Sequence, residues 1–237
     1  MKLSKLVEEL RGGRSLDRIE LTYCSDAKKS LSSLLDVLQH HGVSSLHVAT
    51  DFLMCLERDG AQKFLCNLSS VPRLDELTIE SISRFHMPSI PPDALAPLLS
   101  RGKLKKLHLV NLYLTSANQS FLDGLGHALH NHTSLEQIIL RNFIAKDSLT
   151  TVECNMDVLM DNIATISTLE VLNITGSFCF EEESHQSSLV SIPSLLRVLT
   201  MSSLKQLHLD LLGLQDCHFR AVASSIQTSK SSLTSLS

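Results

Sequence analysis

The stretches LKKLHL at positions 104–109 and LKQLHL at positions 204–209 are nearly identical, and each carries apolar residues at its first, fourth and sixth positions. The same apolar triplet recurs along the chain, at Leu16/Ile19/Leu21, Val43/Leu46/Val48, Leu74/Leu77/Ile79, Leu135/Ile138/Leu140, Leu169/Leu172/Ile174 and, in part, Leu233/Leu236. Successive triplets begin 27 to 35 residues apart. Recurrence at such a period is typical of stacked repeats, so we interpret the chain as eight copies of one unit.

A second apolar pattern precedes each triplet. The residues six positions before it are Leu10, Val37, Leu68, Leu98, Leu129, Ile163, Val198 and Gln227. The residues ten positions before it are Leu6, Ser33, Phe64, Ala94, Leu125, Leu159, Ser194 and Ala223. Because positions four residues apart share one face of an α-helix, each unit is predicted to contain a short strand followed by a helix that leads into the next strand. A single unit cannot cover its own apolar side, so the units must stack.

The triplet resembles the L-x-x-L-x-L core of leucine-rich repeats, and the period near 30 residues with a helix in each unit is similar to the ribonuclease-inhibitor-like class. The resemblance implies an α/β leucine-rich-repeat solenoid, a curved horseshoe with parallel strands on its concave face and helices on its convex face. It covers almost the whole chain and is specific for the fold, whereas a fold of this kind does not specify a function.

The chain departs from the family pattern at the ninth position of the unit. The family often places Asn or Cys there, and Cys24 fits, but the later units carry Ile82, Leu112, Phe143 and Ser177. Asn111 and Asn142 sit one residue earlier. We therefore expect an irregular turn after most strands, with the apolar residue of the ninth position dipping into the core.

The domain organisation follows from the repeat. Residues 1–237 are predicted to form a single domain of about eight repeats, with an N-terminal helix within residues 2–14 and an incomplete last repeat at 233–237. The apolar spacing favours residues 2–11 for the helix itself. The two longest steps indicate insertions, the clearest at Glu181–Glu183. We expect the chain to be part of a longer array or multidomain protein; the alternative is a natural frayed terminus.

Composition narrows the class of protein. The net charge is −4, which argues against a general nucleic-acid binder. No apolar run approaches the length of a membrane span, and acids at the N-terminus argue against a signal peptide. Six scattered cysteines form no C-x-x-C pair, which suits reduced thiols. We therefore expect a cytoplasmic or nuclear protein that binds another protein, with no nucleic acid, membrane, small-molecule substrate or cofactor.

The residues between the triplet positions are expected to face the concave surface and to meet a partner there. The candidate partner-binding residues are Asp75, Glu76, Thr78, Glu80, Lys105, Lys106, His108, Glu136, Gln137, Arg141, Lys205, Gln206 and His208. Strands lie side by side at about 4.8 Å, so these residues should form rows across the sheet. One interpretation is a charge-patterned docking surface. The other is an ordinary solvated face on which neighbouring opposite charges contribute little.

Histidines offer two further candidate sites, neither of which we expect to be a metal centre. His47, His108 and His208 share one position of the unit, but they lie in strands too far apart to reach one zinc ion. His127, His130 and His132 lie near the end of a helix, where the helix dipole favours histidine. The chain also lacks a nucleophile elbow and a phosphate-binding loop, so we predict no enzymatic activity.

The sequence therefore predicts a non-enzymatic protein–protein interaction scaffold that binds its partner on the concave sheet surface. Two alternatives come from the resemblance. Ran-type GTPase-activating proteins contain ribonuclease-inhibitor-like repeats, which there assist nucleotide hydrolysis. The chain could also be the recognition half of a larger receptor, such as a ubiquitin-ligase adaptor or an innate-immune sensor.

Overall fold

A computed structural model describes residues 3–11, 17–82, 90–91, 93–114, 118–146, 155–178, 189–210, 214–228 and 233–236. Helices and strands alternate along these residues. The strands are β1 (Arg18–Leu21), β2 (Ser45–Ala49), β3 (Glu76–Glu80), β4 (Lys106–Val110), β5 (Gln137–Lys146), β6 (Val171–Phe178), β7 (Gln206–Asp210) and β8 (Ser235–Leu236). The helices are α1 (Leu3–Arg11), α2 (Ala27–His41), α3 (Thr50–Cys55), α4 (Glu57–Asn67), α5 (Ala96–Ser100), α6 (Gln119–Leu129), α7 (Asp157–Ile163), α8 (Ile192–Leu199) and α9 (Asp216–Thr228).

The eight strands form one parallel sheet in which each strand pairs with the next in the sequence. The register aligns the repeating triplets. The fourth-position residues lie side by side, from Ile19 in β1 through Leu46, Leu77, Leu107, Ile138 and Leu172 to Leu207 and Leu236. The predicted strands are thus confirmed, and their arrangement is compatible with a repeat solenoid.

A repeated hydrogen-bond pattern links neighbouring units just before the N-terminal end of each strand, which we call the entrance. The carbonyl oxygen of the second-position residue accepts from two successive amides of the next unit. Asp75 O, for example, accepts from Lys105 N at 2.8 Å and from Lys106 N at 2.9 Å. The same arrangement joins every consecutive pair of strands in the described residues. These bonds hold adjacent units in one register before the sheet ladder begins.

The core lies between the sheet and the helices. Leu77 and Ile79 in β3, like their counterparts in β2 and in β4 to β6, are fully buried, while the residues between them are more exposed. The predicted helix positions are buried in the central units, including Phe64 and Leu68, although Ala223 in α9 is exposed. One continuous cluster of buried apolar residues extends from Leu3 to Leu207. In the described helices, none combines the length and apolar character that crossing a bilayer requires.

The predicted N-terminal helix is present as α1, and its first turn is bound by one carboxylate. Positions 2 and 12–14 of that prediction lie outside the described residues. Asp26, which precedes α2, accepts hydrogen bonds from Leu3 N at 2.9 Å, from Ser4 N at 3.1 Å and from Ser4 Oγ at 2.8 Å. These bonds satisfy amides that the first turn of a helix leaves free. They also lower the pKa of the Asp26 carboxyl to about 2, because they stabilise its charged form.

The ninth positions of the units, where we expected apolar residues to enter the core, differ in burial. Leu112 and Phe143 are fully buried, which confirms that these residues dip into the core, and Cys24 is also buried. Ile82 is 66% exposed, so the prediction is wrong for that unit. There the preceding residue, Ser81, is buried and its hydroxyl accepts a hydrogen bond from Thr50 Oγ1 at 3.3 Å. The predicted insertion at Glu181–Glu183 and the ninth-position side chain of Ser177 lie outside what the structure describes.

Strands β5 and β6 continue beyond their neighbours. Their register shifts between Leu140 and Ile144, and pairing then resumes from Ile144 with Gly176 to Lys146 with Phe178. The two longest steps of the repeat begin in these units. The sheet therefore carries a two-stranded extension beside the end of β4.

Asp26 generates a pH-dependent prediction. Because its pKa lies at about 2 in the folded chain against an ordinary 3.8, its stabilisation of α1 is complete above 3.8 and is lost as the pH falls towards 2. We expect the protection factors of the α1 amides, measured by NMR hydrogen exchange relative to the intrinsic rate at each pH, to fall over that window. The variant Asp26→Asn should show faster exchange in α1 already at neutral pH. Asp36→Asn, an exposed position in α2, should leave α1 unchanged; equal effects of the two variants would contradict the capping role.

Gly126 generates a second prediction, because α6 and α7 approach closely there. A Cβ at Gly126 would lie 3.0 Å from Leu159 Cα and 3.0 Å from Val158 O. We expect Gly126→Ala to lower the free energy of unfolding by about 1–3 kcal/mol through overpacking. Gly124→Ala in the same helix should instead raise it by up to about 1 kcal/mol, because Ala favours helix over Gly. Urea unfolding of both variants measures the difference, and a stabilising Gly126→Ala would refute the close packing.

Candidate functional site

The side of the sheet opposite the helices carries the side chains of the third, fifth and seventh positions of each unit. We call this surface of strands β1 to β7 the open face. In β3 these positions are Glu76, Thr78 and Glu80, which are half-buried while Leu77 and Ile79 between them are buried. The same alternation in β4 places Lys106, His108 and Val110 on the open face. The face therefore runs unbroken over the strands that follow one another in sequence.

The register brings most of the predicted partner-binding residues together. Glu76, Lys106 and Gln137 form one row across β3 to β5, and Thr78 lies beside His108 in the next row. Asp75, Lys105 and Glu136 precede these strands in consecutive units. Arg141 lies at the far end of the face in β5. Gln206 and His208 belong to β7, and Lys205 directly precedes that strand; β6 separates all three from this group.

Opposite charges pair across neighbouring strands. Lys105 Nζ lies 4.0 Å from Asp75 Oδ2, and Lys106 Nζ lies 3.7 Å from Glu76 Oε2. Lys205 Nζ lies 2.7 Å from Glu170 Oε1. These side chains are about half exposed, so each pair adds little to stability. Arg141, by contrast, is exposed and has no ion-pair partner among the residues that the structure describes.

In the fifth-position row, two polar atoms are buried and have no hydrogen-bond partner among the described residues. They are His108 Nε2 and Asn173 Oδ1, which lie on either side of Ile139. The other ring nitrogen of His108 is 3.4 Å from Thr78 Oγ1. Burial lowers the pKa of His108, and Lys106 and Arg141 act in the same direction, although Glu76 opposes them. An unpaired buried polar atom typically costs about 1–3 kcal/mol. The hydrogen bonding of this row is therefore least favourable on the two sides of Ile139.

A chain of polar side chains borders the open face where the strands end. Glu80 accepts from Asn111 Nδ2 at 3.3 Å, and Asn111 Oδ1 accepts from Asn142 Nδ2 at 2.8 Å. The backbone N–H of Asn142 donates to Thr175 Oγ1 at 3.0 Å. The other oxygen of Glu80 lies 3.1 Å from His47 Nε2. We call these five residues, from β2 to β6, the exit ladder. Both carboxylate oxygens of Glu80 are thus engaged within the chain.

Asparagine suits the exit ladder for a backbone reason. Asn111 and Asn142 have φ values of 57° and 46°, in the left-handed region that Asn adopts more readily than most residues. The sequence places both residues at the eighth position of consecutive units, but the pattern alone did not predict that their side chains would bond to each other. The recurrence of a turn-forming amide in adjacent units was the available signal.

The histidines are placed as follows. His47, His108 and His208 lie in one row, but Thr78 separates the first two and two strands separate the last two.

His127 and His130 are exposed at the end of α6, whereas His132 is buried and its Nδ1 accepts from Ser134 N and Leu135 N at 3.2 Å each. Burial lowers the pKa of His132 to about 4, so it is neutral near pH 7. Within the described residues, no group of three or more His, Cys, Asp or Glu side chains could hold a metal ion.

The exit ladder makes a testable prediction through two substitutions of Asn142. Asn142→Gly keeps the left-handed backbone accessible but removes the side-chain amide that donates to Asn111. We expect it to lower the free energy of unfolding by about 1–2 kcal/mol. Asn142→Ala should cost roughly a further 1 kcal/mol, because Ala is strained at that φ. Asn131 is the matched control, since it has a φ of 54° but lies outside the ladder. Denaturant unfolding should show no loss for Asn131→Gly; equal losses at both sites would argue against the ladder.

A comparison with models of known protein families and with curated proteins finds no match to this chain.

Proposed function

We propose that this chain is a leucine-rich-repeat solenoid of the ribonuclease-inhibitor-like class and that it acts as a non-enzymatic scaffold which binds a protein partner on its open face. In this fold the open face would be the concave surface and the helices would form the convex one. The proposal applies equally to a chain that works alone and to the recognition part of a larger receptor or ubiquitin-ligase adaptor.

The observation that carries the proposal is the open face itself. Its polar side chains stand in rows that continue from strand to strand, as the pairs Glu20–His47, His47–Thr78 and Thr78–His108 illustrate. The side chains on the opposite side of the same sheet are buried in the core. A partner can therefore meet side chains from many units at once, and the sheet hydrogen bonds fix the spacing of those side chains.

Rigidity favours this role. The entrance hydrogen bonds and the exit ladder hold both ends of the central strands. A surface that is already ordered loses little conformational entropy when a partner binds, so moderate contacts are enough for useful affinity. We expect a few well-packed positions to supply most of that affinity.

The charge pattern of strands β3 and β4 provides the test. The quadruple variant Asp75→Lys, Glu76→Lys, Lys105→Asp and Lys106→Glu exchanges the two cross-strand pairs, so it inverts the pattern while it keeps the net charge and the opportunity for pairing. We expect the variant to fold like the wild type but to lose partners in a quantitative pull-down from the lysate of cells that express the chain. The physical reason is that each charge would meet a like charge on the partner.

The helix side offers a matched control. Lys28 Nζ lies 2.8 Å from Glu57 Oε2, and both side chains are largely exposed. The swap Lys28→Glu with Glu57→Lys exchanges one pair on that side and should leave the captured proteins unchanged. If the open-face swap has no effect, or if the helix-side swap removes the same partners, strands β3 and β4 are not the docking surface.

A further inference from the structure

Three aliphatic side chains interrupt the polar open face. They are Val110 in β4, Ile139 in β5 and Val171 in β6, at the seventh, fifth and third positions of their units. At these positions of strands β1 to β7, no other described residue is an aliphatic larger than alanine. All three are half-buried, so part of each side chain remains open to solvent.

The register places the three residues on one line. Val110 is paired with Arg141, so Ile139 lies one strand over and two residues back. Ile139 is paired with Asn173, so Val171 again lies one strand over and two residues back. Each step covers about 8 Å, and diagonal neighbours at this spacing are within reach of side chains. We call Val110, Ile139 and Val171 the apolar diagonal, which is about 16 Å long.

The charge beside the diagonal is positive. Arg141 lies next to Val110 across the strands and two residues beyond Ile139 in the same strand. Its guanidinium is exposed and has no carboxylate partner in the described part of the chain. On the other side of Val110 lies Glu80, whose carboxylate is already engaged by His47 and Asn111. Among the described residues, the charge without an opposite partner at this end of the diagonal is therefore a cation.

The centre of the diagonal is also the part of the open face with unsatisfied polar groups. His108 and Asn173 flank Ile139, and each holds one buried polar atom that bonds to no described residue. A peptide backbone carries both donors and acceptors, so it can supply the missing bonds when these two side chains turn towards it. No other described residue supplies them.

We propose that the apolar diagonal and Arg141 together bind a protein segment that carries aliphatic side chains along about 16 Å and a carboxylate at the Arg141 end. This inference rests on the proposed function, since it names the chemistry of the partner that the open face takes. The aliphatic side chains cover Val110, Ile139 and Val171, and the carboxylate forms the paired, planar contact that guanidinium groups favour.

The test uses the full chain and a displayed library of random peptides of about 12 residues, which is long enough to follow the diagonal as a helix. Enriched peptides are synthesised, and their affinities are measured by fluorescence anisotropy. We expect the enriched peptides to combine aliphatic residues with Asp or Glu. Ile139→Thr, which keeps a β-branched side chain, and Arg141→Glu should each weaken binding by about tenfold or more.

Two controls separate the inference from general effects. Arg18→Glu makes the same substitution on the same face in β1, away from the diagonal. Because Arg18 lies outside the proposed contact, we expect this variant to change the peptide affinity less than about twofold. Peptides in which the carboxylate is replaced by Lys should bind Arg141→Glu better than they bind the wild type. Circular dichroism confirms that each variant is folded before its affinity is compared.

The possible failures are distinguishable. Basic peptides whose binding depends on Glu20 or Glu76 would overturn the apolar diagonal and leave docking on the open face in place. Peptides insensitive to every open-face substitution, including the quadruple charge swap, would overturn both the inference and the proposed function. A selection without any enriched peptide would overturn the inference, while the pull-down with the charge-swap variant would still decide the function.

Discussion

Each strand of this chain depends on its neighbours to cover the apolar side chains at the fourth and sixth positions of the unit. Leu107 and Leu109 are fully buried because the adjacent strands place Leu77, Ile79, Ile138 and Leu140 beside them and a helix lies over them. Coverage decreases over the last two described strands, since Leu209 in β7 is half-buried and Leu236 in β8 is 45% exposed. Burial is therefore a property of the stack, because a single unit has too little apolar surface of its own to exclude water.

Hydrogen bonds between neighbouring units fix the spacing of the strands. At the entrance of the strands a single carbonyl holds two amides of the next unit, and at the exit the side chains of Glu80, Asn111, Asn142 and Thr175 continue the connection from unit to unit. Both sets of bonds lie at the edges of the open face. A partner that binds there meets side chains whose separations are set by the sheet, and this preorganisation is the physical basis for a scaffold role.

The open face itself is not uniform. Cross-strand ion pairs neutralise much of the charge at its entrance edge, whereas the apolar diagonal crosses its middle, with His108 and Asn173 beside Ile139. Arg141 lies at the far end of the diagonal and has no ion-pair partner among the described residues. Paired surface charges contribute mainly to the choice and orientation of a partner, whereas desolvated apolar contacts contribute most of the affinity. The candidate residues singled out for their charge and those that form the diagonal therefore have different roles in the proposed interface.

The sequence by itself determined the strands, the helices and their order, because burial of one side of each element leaves a periodic apolar pattern that repeats with the unit. It also indicated that Leu112 and Phe143 enter the core, since apolar residues replace the expected Asn or Cys there. It could not determine which polar residues bond to each other: the exit ladder depends on the left-handed backbone at Asn111 and Asn142, and Ile82 turns outward because Ser81 takes the inner position. The apolar diagonal likewise exists only in the tertiary structure, since Val110, Ile139 and Val171 occupy three different positions of the unit and are brought into line by the register of neighbouring strands.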